Sequence, residues 1–426
     1  MLRDRYDNDI STSSAAARDQ YVTAVDGFLA GAGGIVAEFQ KVTELDPDFA
    51  LGHSGLARAR MVWGDGAGAR QAMVTARSKA SGLPTQEAAH IDAMGMLVEG
   101  KMPAGYRAIR AHVAEYPRDV MLAQTCTSIY GLIGFSGQPG REAELLAYTS
   151  ALAPHYGDDW WMLSMQAFSL CETGQVDPAQ AMIDRSLELE PRNANAAHVC
   201  SHTLYEAGET ETGITFLEDW LSDYEKAGIL HGHLSWHVGL WALERRELDR
   251  LWKKVDADVA PGAAECPPLM VLTDTASILY RASLAGIPVE PERWQRLSAY
   301  AAERFPKPGL GWVDLHAALT HAMAGNEKAL ETIIAAPVGP SADLIGKIAT
   351  AYRAIAAEDW DSALDHLTGV MADHARVGGS RAQRDLLEHT VLGVLVRQGK
   401  ADEARRLIAT RRPVVGGHSP VAGLDG

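Results

Sequence analysis

The sequence predicts an all-α fold, a solenoid of stacked helical pairs, and three observations carry that prediction. Alanine and leucine are abundant, and apolar residues recur at i, i+3 and i+4, the period of an amphipathic helix. Glycine and proline fall between the periodic segments rather than inside them. Pro117, Pro154 and Pro191 stand 37 residues apart, and Pro47 lies 70 before the first of them, about two periods. A repeating period of this size marks an array in which each unit buries its apolar face on its neighbours, so 426 residues need not mean several domains.

The elements follow in order. Residues 1–18 are polar and rich in Ser and Ala, and are expected to be poorly ordered or loosely docked. Residues 19–255 carry the N-terminal repeats. Their clearest unit is Ala179-x3-Ile183-x2-Ser186-x4-Pro191, a small–large–small ladder on a helix that ends at a proline. Glu142/Leu146/Thr149/Pro154 and Gly105/Ile109/His112/Pro117 keep the spacing with looser chemistry. The ladder is the second-helix signature of tetratricopeptide repeats, in which small residues let helices approach closely. Residues 256–270, with Pro261-Gly262 and Pro267-Pro268, read as a linker. Residues 271–412 return to the ladder at Ala363-x3-Leu367-x2-Val370 and Ala404-x3-Ile408, and 413–426 form an irregular tail. The expected whole is one continuous superhelix whose C-terminal half closes over a central groove.

Composition narrows the partners. The net charge is -16 and no Lys/Arg run occurs, which argues against nucleic acid and against an anionic membrane surface. No stretch approaches the roughly 18 apolar residues of a membrane span. Cys126, Cys171, Cys200 and Cys266 are scattered without CxxC spacing and read as reduced core thiols. The start, Met1-Leu2-Arg3, leads into no hydrophobic run, so a cytoplasmic protein is expected. The exposed ends of such an array also leave room for a homodimer.

Two histidine pairs are the strongest chemical signal. His198 and His202 are four residues apart and share a helix face; His233 and His237 repeat the spacing 35 residues later. Equivalent positions in neighbouring repeats lie side by side, so four imidazoles are expected on one patch, with Glu206 one turn further along.

Several words stand together around these pairs: Tyr156-Gly157-Asp158-Asp159-Trp160-Trp161, Pro191-Arg192-Asn193-Ala194, Ala197-His198-x3-His202-x2-Tyr205-Glu206-Ala207-Gly208, His233-x2-Trp236-His237 and Gly378-Gly379-Ser380-x-Ala382-Gln383-Arg384-Asp385. The set resembles the tetratricopeptide repeat protein 38 family over roughly residues 20–412. The resemblance implies an α-helical superhelix and no particular activity. It also implies that the first helix of each pair faces the groove at positions 4, 7, 11, 14 and 15 after the proline. Counted from Pro191 these are Asn195, His198, His202, Tyr205 and Glu206, and counted from Pro154 they are Asp158, Trp161, Met165, Phe168 and Ser169. The 35-residue offset adds His233, His237 and Trp241 to the same surface.

Each constellation has a chemical and a plain reading. Four imidazole nitrogens could hold zinc or another divalent metal, whereas a hydrogen-bonded groove of histidines would need none. His198, His202, His233 and His237 with Glu206 or Asp158 could serve acid–base catalysis. One of Asp158 and Asp159 would instead cap the helix carrying Trp160 and Trp161. Trp161, Trp236 and Trp241 could line a ligand box or pack between repeats. His316 could complete the pocket if the C-terminal half folds over, and Arg384 could clamp an anion or sit in an internal salt bridge. No HExxH, GxSxG or Walker A word is present. Two readings stand: a protein binding a small molecule or peptide in a groove lined by His, Trp and acidic residues, or a hydrolase or lyase using the same cluster.

Overall fold

The computed structural model describes residues 2–410 and 418–424. Among these residues the chain forms eleven helical pairs in sequence order. The first four are Ala15–Ala30 and Ile35–Leu45 (α1, α2), Ala50–Val62 and Gly66–Ser78 (α3, α4), Thr85–Val98 and Met102–Glu115 (α5, α6), and Val120–Ala123 and Arg141–Tyr156 (α7, α8). The central three are Trp160–Glu172 and Val176–Leu189 (α9, α10), Ala194–Ala207 and Thr210–Ser222 (α11, α12), and His231–Glu244 and Leu248–Lys254 (α13, α14). The last four are Pro268–Leu284 and Pro291–Arg304 (α15, α16), Gly311–Met323 and Glu327–Ala335 (α17, α18), Ala342–Ala356 and Trp360–Met371 (α19, α20), and Arg381–Arg397 and Ala401–Ala409 (α21, α22). This is a tetratricopeptide-like helical superhelix.

The ladder read from the sequence is what packs the pairs. In α10 the buried residues are Ala179, Ile183 and Ser186. Gly213 takes the first position in α12: a Cβ there would come within 2.5 Å of the Trp241 ring on α13, so the small residue lets that indole seat. Pro47, Pro117 and Pro191 stand just beyond the ends of α2, α6 and α10. Pro154 instead lies in the last turn of α8, which runs on to Tyr156. Lacking an N–H, Pro154 leaves the Ser150 carbonyl without its donor from the next turn, and α8 ends two residues later.

The superhelix closes on itself. Asn195 on α11 donates to the Leu29 carbonyl of α1 at 2.7 Å. Across the other side, the Tyr205 hydroxyl of α11 donates to Asp385 of α21 at 2.8 Å. Glu172 of α9 accepts the Arg381 backbone N–H at the start of α21, at 3.0 Å. Arg141 of α8 donates to the Ala375 carbonyl at 2.6 Å. Between these ties the inner helices have no solvent face: 231–243 of α13, 270–282 of α15 and 311–322 of α17 are buried without a break. Helices buried on every side lack the polar stripe of a surface helix. The central groove is therefore a packed interior around these helices.

Two stretches differ from expectation. The start of the chain is docked rather than loose: Leu2–Arg3 pairs antiparallel with Asp9–Ile10, Tyr6 and Ile10 are buried, and Asn8 donates to the Arg118 carbonyl at 2.9 Å. The Pro/Gly-rich stretch 256–270 includes a π-helical turn, Val255–Val259, and α13 and α15 on either side of it pack directly on each other. Of the expected tail, residues 418–424 are described, with Ala422 donating to the Leu284 carbonyl at 2.8 Å; 413–417, 425 and 426 lie outside the described residues.

Candidate functional site

Local sequence places the histidines. Asn193 caps α11 by accepting the N–H groups of Asn195 and Ala196, and Gly208, at φ 75°, ends the helix in the left-handed region where a Cβ is disfavoured. His198 and His202 fall on the inner face of that helix. His233 and His237 take the same face of α13, and all four side chains are buried. One nitrogen from each lies within 4.8 Å of the other three.

The hydrogen bonding within the cluster is unusual. His198 Nε2 lies 2.9 Å from His202 Nε2 and 3.0 Å from His233 Nε2. An imidazole nitrogen carries either one hydrogen or one in-plane lone pair, so His198 Nε2 cannot make two full hydrogen bonds. The tautomer of His233 is decided by its other side: Nδ1 lies 2.9 Å from the Asp274 carboxylate of α15, which only accepts. Nδ1 therefore carries a hydrogen, and in the neutral ring Nε2 presents a lone pair inward. His237 has no hydrogen-bond partner on either nitrogen, and His202 none on Nδ1, although both are fully buried.

Burial is the largest influence on these rings. It pushes His202 down to about 3, with His233 adding to the shift, and holds His198 and His237 well below the usual histidine range. The surroundings are aromatic: Phe168 packs on His198 and His202, Trp236 stacks on His233 at 5.1 Å between ring centres, and Trp241 flanks His237 at 6.1 Å. Neutral imidazoles with inward lone pairs in an aromatic shell are a donor set that could hold a transition-metal ion. Tetrahedral Zn–N bonds of about 2.05 Å would separate ligand nitrogens by about 3.3 Å, within the span found here. The Asp274–His233 pair is the outer-shell arrangement that orients a metal-bound histidine.

The other sequence-predicted residues divide. Trp236 and Trp241 border the cluster. Glu206 stands outside the set of converging groups, because its carboxylate is drawn to Arg381, 3.3 Å away. Asp158 was expected to face the groove; it is exposed and paired with Arg185, while Asp159 caps α9 by accepting from Trp161 and Met162. Trp161 packs on Tyr156 in the N-terminal core. Asn195 and Tyr205 serve the closure contacts described above. His316 is buried against the Trp312 carbonyl at 2.8 Å. Arg384 is buried in an ion-pair cluster with Glu142 and Glu172. Asp274 completes the site and was not singled out from sequence; Phe168, which the count from Pro154 turns to the groove, does pack on the cluster. The available signal for Asp274 was a lone carboxylate inside the apolar run 269–280.

No family model matches the chain. Among the solved structures that resemble it are three helical-repeat chains. Yeast Tom70 aligns at 15% identity over 92% of this chain and 82% of its own, with a TM-score of 0.36. The human IFIT1 dimer with m7Gppp-AAAA aligns at 12% identity, over 96% and 97%, with a TM-score of 0.43. The IFIT1 dimer with PPP-AAAA aligns at 13% identity, over 96% and 93%, with a TM-score of 0.42. At such identities the likeness is one of helical-repeat architecture. One expectation is corrected: net charge does not exclude nucleic acid, and the two IFIT1 structures are themselves complexes with m7Gppp-AAAA and PPP-AAAA. A charge summed over 426 residues does not report the potential of one concave surface. No helix among the described residues is long and apolar enough to cross a membrane.

Proposed function

We propose that this chain is a ligand-binding protein of the tetratricopeptide repeat protein 38 type, that His198, His202, His233 and His237 hold a divalent transition metal, zinc foremost, and that its ligand is a small molecule. The observation that carries the metal is the approach of His202 and His233 to one nitrogen of His198, at 2.9 and 3.0 Å. Three such nitrogens are compatible at these distances when their lone pairs share a cation. His233 supplies the oriented ligand through Asp274, and His237, without any hydrogen-bond partner, supplies the fourth nitrogen. Burial favours a small molecule over a peptide here, because the histidines leave no open track for an extended chain. Four buried free cysteines accord with a cytoplasmic setting.

A second reading keeps the same residues as a hydrolase or lyase centre. It is favoured by the His233–Asp274 pair, which is also how an acid–base imidazole is oriented. Metal analysis of the purified chain tests the first reading. One equivalent of metal is expected, reduced in His202→Ala and His237→Ala. A metal-free protein that takes up neither zinc nor cobalt on titration would overturn it.

A further inference from the structure

A cavity of about 460 Å³ opens one turn from the histidine cluster and belongs to the same helices. Leu240 and Leu243 on α13 follow His237 by three and six residues, and Arg281 on α15 follows Asp274 by seven, two turns along the same face. Leu392 and Leu395 of α21 form the opposite wall. A concave, mainly apolar space of this size is the usual form of a small-molecule site.

Arg281 gives the cavity its chemistry. Its side chain is buried, and none of its partners is a carboxylate: the Ala382 carbonyl at 2.6 Å, Ser277 Oγ at 3.3 Å, and the Gln383 carbonyl and His389 Nδ1 at 3.5 Å. No carboxylate among the described residues pairs with it. Of the acidic residues on the wall, Asp385 accepts from Tyr205, Glu388 lies 3.3 Å from His374 and Glu244 accepts from Thr210, while Glu403 is an exposed residue of α22. A buried guanidinium without a counter-charge is costly, and an anion beside it offsets that cost.

We propose that this cavity binds a straight-chain carboxylate, with its head on Arg281 and its tail along the leucine walls. The proposal names the ligand class for the small-molecule reading above and rests on that reading, but it requires no metal.

Calorimetric titration of the full chain with dodecanoate below its micellar concentration tests it. Saturable binding of one dodecanoate per chain is expected. Arg281→Gln should weaken it about tenfold or more, the loss of a charge-assisted bond. Leu392→Trp, which fills the cavity from the far wall, should abolish it. Dodecanol should bind about tenfold more weakly than dodecanoate, and dodecylamine should not bind. Absence of dodecanoate binding, equal affinity for dodecylamine, or an unchanged Arg281→Gln variant would overturn the proposal. If Arg281→Gln does not fold, the three head groups compared on the native chain decide the role of charge. Metal content in the same samples keeps the two readings apart: bound metal without dodecanoate binding defeats only the carboxylate, and dodecanoate binding without metal defeats only the metal centre.

Discussion

His233 and Asp274, on helices 41 residues apart in sequence, share a buried hydrogen bond of 2.9 Å that leaves the inner nitrogen of His233 bare. Asp274→Asn preserves the shape of the side chain but removes the negative charge and lets either ring nitrogen carry the hydrogen. Metal affinity should fall about 10–100-fold with the fold intact. Competition with a chromogenic chelator, alongside circular dichroism, measures both; an affinity within twofold of the native chain would remove Asp274 from the centre.

Chelation should lower the melting temperature. The metal would join α11 to α13 in the folded state only, and a ligand present at about 100 times its dissociation constant contributes about 2.7 kcal/mol. Scanning calorimetry with and without EDTA reads the shift. His202→Ala, with one ligand missing, should show a smaller response to EDTA than the native chain.

The metal-free chain should lose stability in acid. Burial lowers His198, His202 and His237 relative to an unfolded histidine near 6.5, so the unfolded state binds more protons below that pH. Stability from these rings is complete above about pH 6.5 and declines as pH falls towards the folded-state value of about 3 for His202. Each such ring contributes a slope of up to about 1.4 kcal/mol per pH unit within that window. Urea midpoints at pH 7.5, 6 and 5 should fall in that order, and the His202→Ala variant should have the shallower dependence.

Arg384→Ala should be among the most damaging single changes. It strips the cation from Glu142 and from Glu172, whose carboxyl burial already pushes up to about 7. Breaking a buried ion pair costs about 3–5 kcal/mol. Because Glu172 also holds the start of α21, faster proteolysis of the C-terminal pair should accompany the lower melting temperature.

Asp158→Asn is the contrasting control. Its carboxylate is exposed and pairs only with Arg185 at the surface, where ion pairs contribute little. Metal content and melting temperature should be unchanged; a variant that loses metal would place Asp158 in the centre after all.

The repeats and the two histidine pairs were legible because they are local. A 3.6-residue period puts His198 with His202 and His233 with His237 on their own helices whatever the rest of the chain does, and the 35-residue offset sets the pairs in register across neighbouring units. The ladder Ala179, Ile183, Ser186 was legible for the same reason. Counting along a helix could not say which cation each carboxylate meets: Glu206 turns to Arg381 and Asp158 to Arg185, from elements that spacing does not connect. Nor could it supply Asp274, whose partner comes from the next repeat pair. By itself the sequence determined the helical array and the pairing of the histidines, both consequences of short-range periodicity. Only the tertiary structure decided that the groove is an interior, because ties such as Tyr205–Asp385 and Asn195–Leu29 join residues 180 and 166 positions apart and draw both ends of the array onto α11.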